Sequence, residues 1–295
     1  EGTVCSGQRD IGGRRRGFFL CPGRVLRYYD QSSRRRGVKL TFLGTGTSFG
    51  VPQSGCSCAV CRSADPRDKR TRVGAVVESQ GTNLLIDTPP ELRLQLIASD
   101  IRHIDAVLFT HDHADHTHGL DDIRAISVKR DGALPFYGPA ETMASLSHKF
   151  SYVFDNRIQP LPGTWKPEGV VHVLEPGKSE RIGTLDVVAV EVPHGLIRVF
   201  GYRIGALGYV TDAAAIPPEA LRLRKGVKVL VLNALFHTAH PTHLSFSEAI
   251  EVSRQVGAER TFLTHLTHHN SHADLEAELP AGVSPAFAGL TVIVE

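Results

Sequence analysis

The stretch His111-Asp112-His113-Ala114-Asp115-His116 constrains this chain more than any other. It follows Thr110 and the apolar run Ala106-Val107-Leu108-Phe109, which reads as a buried strand. Imidazoles and carboxylates spaced H-x-H-x-D-H in a tight loop face two directions at once, as a pair of divalent cations requires. Two cations need about six protein groups, so the scaffold must bring further donors to this loop. Three candidates follow apolar strands: His194 after Val190-Glu191-Val192-Pro193, Asp212 after Gly208-Tyr209-Val210-Thr211, and His265 after Thr261-Phe262-Leu263-Thr264. Each alone reads equally well as a surface histidine or a capping aspartate. Together with the hexad they form a set at strand mouths, where polar groups converge without entering a core.

The rest of the chain supplies the scaffold. Weak alternation over Val38–Leu43 ends in Gly44-Thr45-Gly46-Thr47, and strands read at 73–78, 83–87 and 106–109. Pro89-Pro90 opens a helix with apolar positions Leu92, Leu94, Leu96 and Ile97, and further helices read from His116 or Thr117 through Ile126 and over 140–150. Beyond the Pro/Gly-rich connection 156–168, strands read at 171–174, 185–192, 199–204 and 207–211. The last third alternates: helix 218–223, strand 227–232, helix 247–256, strand 260–264 and a closing strand 290–294. Two blocks that each mix strands and helices predict an α/β (α+β) architecture, with two sheets packed face to face and helices outside, an αββα sandwich. The expected division is a basic, disordered leader over 1–37 and one domain over 38–295.

Charge separates those two parts. Residues 1–37 carry nine arginines, no lysine and three acids, a net of +6, which leaves −4 for the remainder of a chain whose formal charge is +2. The triplets Arg14-Arg15-Arg16 and Arg34-Arg35-Arg36 could touch nucleic acid or anionic lipid, but a leader without apolar periodicity is the simpler reading. The apolar patch Phe18-Phe19-Leu20 is too short for a signal peptide, and no apolar run approaches the ~20 residues of a membrane span.

Of five cysteines, Cys56, Cys58 and Cys61 fall within six residues, which reads as metal binding in a reducing, cytoplasmic compartment. Three thiolates need a fourth donor for a closed structural zinc site; an iron–sulfur ligand set and surface thiols are the alternatives. Cys5 and Cys21 have no evident role.

Over essentially 38–295 the sequence resembles the metallo-β-lactamase-fold hydrolases, and within them the PhnP-type phosphodiesterases, which open a phosphoribosyl cyclic phosphate. The resemblance rests on Phe42-Leu43-Gly44-Thr45-Gly46, Gly55-Cys56-Ser57-Cys58-Ala59-Val60-Cys61 and 110–120. It continues through Val192-Pro193-His194-Gly195, Tyr209-Val210-Thr211-Asp212 and Leu263-Thr264-His265-Leu266-Thr267-His268. It implies one metal on His111, His113 and His194, a second on Asp115, His116 and His265, and Asp212 bridging, with zinc or manganese both compatible with such donors. It implies His268 as the fourth ligand of a structural zinc. It also implies that His243 lies at the substrate phosphate, stabilising charge there or protonating the leaving oxygen; the plain alternative is a histidine before a helix, and His237 and His240 lie close by. His118 or Asp121 could hold ligand imidazoles from behind. Asn233 departs from an expected aspartate and puts one such supporting contact in doubt.

The function this implies is hydrolysis of a small, cyclic phosphodiester by a metal-activated hydroxide, with Asp212, Asp115 and His243 as catalytic groups. The partner is a small-molecule substrate, with no membrane, no nucleic acid and a homodimer as the expected assembly. Three alternatives share the fold: a β-lactamase or other acyl hydrolase, an RNA-processing nuclease, and a non-hydrolytic redox or binding protein. The cysteine loop is foreign to lactamases, and the acidic body lacks a long basic insertion to grip RNA.

Overall fold

The computed structural model describes residues 37–130, 132–223 and 225–295. The expected leader, apart from Gly37, and with it both arginine triplets, Cys5 and Cys21, lies outside the described residues.

In chain order the strands are β1 (Val38–Gly44), β2 (Gly74–Ser79), β3 (Thr82–Ile86), β4 (Ala106–Leu108), β5 (Leu134–Gly138), β6 (Gly169–Val173) and β7 (Ser179–Ile182). They continue as β8 (Leu185–His194), β9 (Ile197–Ile204), β10 (Leu207–Tyr209), β11 (Val229–Asn233), β12 (Arg260–Thr264), β13 (Val283–Pro285) and β14 (Thr291–Val294). They make two seven-stranded sheets, β14-β1-β2-β3-β4-β5-β6 and β13-β12-β11-β10-β9-β8-β7. Each sheet is antiparallel in one half and parallel in the other, with β3 to β6 parallel in the first and β10 to β13 in the second.

Side-chain alternation explains the layering. In β3, Leu84 and Ile86 join the core between the sheets while Leu85 faces outward; in β11, Val229 and Val231 face in and Leu230 and Leu232 face out. A strand buried on both faces reads as a continuous apolar run, because helices cover the outer side. Phe246, Ala249 and Val252 of the helix Phe246–Val256 cover the second sheet. Leu92, Leu96, Met143 and Leu146, from the helices Leu92–Ala98 and Ala140–Lys149, cover the first. Each of the larger of these side chains contributes about 1.5–3 kcal/mol of burial. The arrangement is the αββα sandwich expected. Among the described residues no helix is long and apolar enough to cross a membrane.

One local expectation fails. The helix expected through Ile126 breaks into Ala114–Thr117, a 3-10 turn Leu120–Ile123 and Arg124–Ser127. Gly119 is the cause: its amide donates to Thr88 O at 2.8 Å, and a Cβ there would sit 2.0 Å from Pro89 O. The backbone is thus pinned to the turn after β3 and leaves the helical path. In Leu92–Ala98 the buried residues are Leu92, Gln95 and Leu96, while Leu94 and Ile97 are 57% and 66% exposed, since one helical face cannot hold all four leucine and isoleucine positions. Gln95 takes an inward place, donating from Nε2 to Thr71 Oγ1 and Arg72 O, both at 2.9 Å.

Candidate metal centres

Polar residues just past the parallel strands of both sheets meet at one edge of the sandwich. Asp87 follows β3, 110–116 follows β4, Asp212 lies shortly after β10 and His265 follows β12; His194 ends β8 at its hairpin. Asp87, Asp212 and His265 all adopt left-handed backbone conformations, with φ of 61°, 58° and 59°. Such a residue reverses the chain at once, at a cost of about 1–3 kcal/mol.

The side chains converge. One nitrogen each of His111, His113 and His194 forms one group, and Asp115, His116 and His265 offer another, with all donor atoms in a group within 4.8 Å of one another. Asp212 stands between: Oδ1 is 3.3 Å from His116 Nε2, and Oδ2 is 3.2 Å from His265 Nε2 and 4.0 Å from His194 Nε2. Asp115 Oδ2 lies 3.4 Å from His116 Nε2 and 3.7 Å from His265 Nε2. His243 joins the same cluster, its Nε2 3.2 Å from Asp212 Oδ2 and its ring stacked 4.6 Å from that of His265. All the strand-end residues that the sequence singles out are therefore brought together.

The groups that orient these imidazoles differ from those expected. His118 packs on Phe150, and Asp121 binds Arg124 and Tyr152, so neither supports the cluster. The supports are Asp87, whose Oδ2 is 2.8 Å from His116 Nδ1; Thr110, whose Oγ1 is 3.0 Å from His111 Nδ1; and the Thr242 carbonyl, 2.8 Å from His194 Nδ1. Asp87 also accepts from the Thr110 amide and hydroxyl. Thr211 donates its hydroxyl to Asp212. Asn233 holds the backbone beside Asp212 and not a ligand imidazole: its Oδ1 accepts from Ala213 N at 2.9 Å and its Nδ2 donates to Ala213 O at 3.1 Å, a pairing that an ionised aspartate could not complete.

Electrostatics ties the groups to one another. Burial would raise Asp212 and Asp115, yet the facing imidazoles of His265 and His116 hold both carboxyls below the usual carboxylate range. Burial would lower His116 and His265, but Asp212 and Asp115 push His116 well above its ordinary value and His265 up to about 9. His111 and His243 go the other way, because burial dominates: His111 falls well below its usual value and His243 to about 4. Burial also raises Asp87.

The donors fit divalent cations. His111 Nε2, His116 Nε2 and both nitrogens of His265 are buried without a hydrogen-bond partner, although carboxylate oxygens lie at ion-pair distance from two of them. Polar atoms that converge without bonding one another are costly in isolation and suit a shared positive charge.

A second centre lies on the long loop after β1. The Sγ atoms of Cys56, Cys58 and Cys61 and a ring nitrogen of His268 lie within 4.8 Å of one another; His268 Nδ1 is 3.3 Å from Cys56 Sγ and 3.4 Å from Cys58 Sγ. Amides of Cys61 and Gln53 donate to Cys58 and Cys61 respectively. The Cys61 amide, then His268, bring the Cys58 thiol down to about 6, whereas burial raises Cys61. Three sulfurs and one nitrogen fit a closed tetrahedral zinc site.

Comparison with known proteins gives this geometry a family. The beta-lactamase superfamily domain matches residues 82–266. A solved structure described as a new diphosphatase from the PhnP family superposes with a TM-score of 0.80 at 35% identity, covering 88% of this chain and 98% of that one. The octanoyltransferase of Porphyromonas gingivalis strain W83 is 35% identical over 261 residues, 88% of this chain; the chain spans about half of that relative's length, 52%. The ribonuclease Z of Methanopyrus kandleri is 28% identical over 280 residues, covering 79% of this chain and 88% of that protein.

Proposed function

This chain belongs to the metallo-β-lactamase superfamily and, within it, to the PhnP family; we propose that it hydrolyses small substrates, cyclic phosphodiesters or the phosphoanhydride of a diphosphate-linked nucleotide, at the His/Asp centre. The observation that carries this reading is the convergence of partnerless, buried imidazole nitrogens on the carboxylate of Asp212. His111, His113 and His194 would hold one divalent cation and Asp115, His116 and His265 another, with Asp212 between them, and Cys56, Cys58, Cys61 and His268 a structural zinc. Zinc or manganese at the His/Asp centre would supply Lewis acidity and bring the pKa of water toward neutrality.

The chain's own groups do the rest. Asp87, Thr110 and the Thr242 carbonyl fix the rings of His116, His111 and His194 so that Nε2 of each faces the centre. Asp115 is the more open carboxylate, its side chain 13% exposed against 3% for Asp212, and it orients the attacking water by accepting its hydrogen bond. His243, kept neutral by burial, donates a hydrogen bond from Nε2 to a phosphoryl oxygen as charge develops there. That is the charge-stabilising one of the two roles the resemblance implies for it.

The name of the octanoyltransferase supports no acyl-transfer reading here, because half of that protein lies outside the match. The test is a metal-quantified panel of bis-p-nitrophenyl phosphate, cyclic ribose phosphates, cyclic nucleotides, a diphosphate-linked nucleotide, a short RNA and nitrocefin. Cleavage of the small esters is expected. Hydrolysis of nitrocefin alone, or of RNA alone, moves the assignment to the lactamase or nuclease branch, and iron with oxygen consumption moves it to a redox protein. His243→Ala is expected to lower turnover by about tenfold to a hundredfold with cation content unchanged.

A further inference from the structure

Thr242 touches three histidines, and its two oxygens do different things to two of them. The carbonyl is 2.8 Å from His194 Nδ1. A carbonyl only accepts, so that nitrogen carries the proton and His194 Nε2 faces His111 and His113 with a lone pair. The hydroxyl is 2.8 Å from His243 Nδ1, while His243 Nε2 lies 3.2 Å from Asp212 Oδ2. An ionised carboxylate also only accepts, so Nε2 carries the proton of His243 and the Thr242 hydroxyl donates to the bare Nδ1. His240 Nδ1, 3.1 Å from the same hydroxyl, is offered the Thr242 amide at 3.4 Å and leaves the hydroxyl proton to His243. Gly195 leaves room for the threonine: at φ +58°, a Cβ there would stand 2.9 Å from Thr242 Cγ2.

We propose that Thr242 is a positioning residue that sorts two adjacent imidazoles into opposite tautomers. Its carbonyl presents His194 as a lone-pair donor, and its hydroxyl presents His243 as an N–H donor toward a substrate phosphoryl oxygen. The second half rests on the phosphodiesterase reading given above; the tautomers themselves do not. The consequence is that a single side-chain oxygen keeps His243 from becoming one more lone-pair donor in a cluster where His194, Asp212 and His243 already lie within 4.8 Å.

Two-bond proton–nitrogen correlation spectra of the metal-free full chain read the tautomers directly, with His243→Ala and His194→Ala assigning the signals. The expected result is His194 protonated on Nδ1 and His243 on Nε2; His243 protonated on Nδ1 overturns the proposal. Thr242→Val keeps the carbonyl and removes the hydroxyl. It should move His243 toward the Nδ1–H form and lower kcat about tenfold, with KM and cation content unchanged, while Thr242→Ser stays within about twofold of wild type. In a His243→Ala background the valine substitution should cost nothing further. An undisturbed kcat in Thr242→Val, or an equal loss without His243, overturns the proposal. If the valine variant does not fold, the wild-type and Thr242→Ser spectra decide. Failure of the wild type to cleave any phosphoester defeats the functional reading alone, since the spectra still judge the tautomers.

Discussion

The two clusters are built from different parts and in opposite styles. The Cys/His cluster takes three donors from one loop and a fourth from His268; its thiols are half-buried or better, and backbone amides satisfy two of its sulfurs. It is a closed set. The His/Asp cluster draws donors from the ends of β4, β8, β10 and β12, leaves buried nitrogens without partners and crowds a further histidine, His243, against its central carboxylate. It is an open set. A closed set suits holding segments together, and an open one suits chemistry on a third party. The two meet in sequence, since His265 and His268 are three residues apart, so a cation held by the cysteine cluster would also steady the loop that carries His265.

The comparison breaks first at Asp212. Asp212→Ala removes the carboxylate faced by His116, His194, His243 and His265, and hydrolysis should fall by about a thousandfold or more while the zinc of the cysteine cluster stays. Metal analysis beside turnover checks it; a fully active variant with all its metal would show that the open set is not the reaction centre. Asp87→Asn replaces none of the proposed cation donors, yet it weakens the acceptor behind His116 and should reduce cation affinity by about tenfold to a hundredfold in chelator competition, with the circular dichroism spectrum unchanged.

The cysteine cluster is sharpened by pH. With Cys58 brought down to about 6, the thiolate predominates above that pH. In chelator-treated protein its alkylation rate should therefore level off near neutrality, where an ordinary thiol would still be gaining thiolate with each rise in pH. A profile still climbing at about pH 8–9 would refute the depressed value.

The smallest effect concerns His272, which lies against Arg70 beside the loop of the cysteine cluster. Burial, then the Arg70 guanidinium, lowers it from 6.5 to about 4. Between those values the unfolded chain binds a proton that the folded chain refuses, so stability is lost as pH falls from 6.5 toward 4. His272→Gln should flatten that part of the wild-type stability curve; denaturant melts of both proteins across the interval decide it.

Much of this molecule is legible in its sequence, for reasons that particular residues make plain. Strand β12 and the helix Pro218–Leu223 fall where periodicity and punctuation put them, and the clustered histidines announce themselves because imidazole at a strand end is conspicuous. The short strands β5, β7 and β13 escape notice: Leu-Pro-Phe-Tyr-Gly, Ser-Glu-Arg-Ile and Val-Ser-Pro carry little alternation and exist because neighbouring strands give them partners. The supports escape for another reason. Asp87 and Thr242 serve through contacts 29 and 48 residues away in sequence, and nothing local marks them beyond a position at the end of a strand or next to a histidine. Gly119 is the reverse case, an ordinary glycine in sequence that the fold uses to break an otherwise plausible helix.

The left-handed residues Asp87, Asp212 and His265 have a consequence for how this protein can be altered. At each of them glycine would be the conformationally easiest residue and the chemically emptiest one. Glycine there would relieve backbone strain, but at Asp212 it would strip the buried imidazoles of His116 and His265 of their carboxylate, and at Asp87 it would orphan the groups of Thr110 and His116 that donate to it. The strained backbone at these three addresses is therefore held by the same side-chain contacts that assemble the cluster, so strain and site stand or fall together.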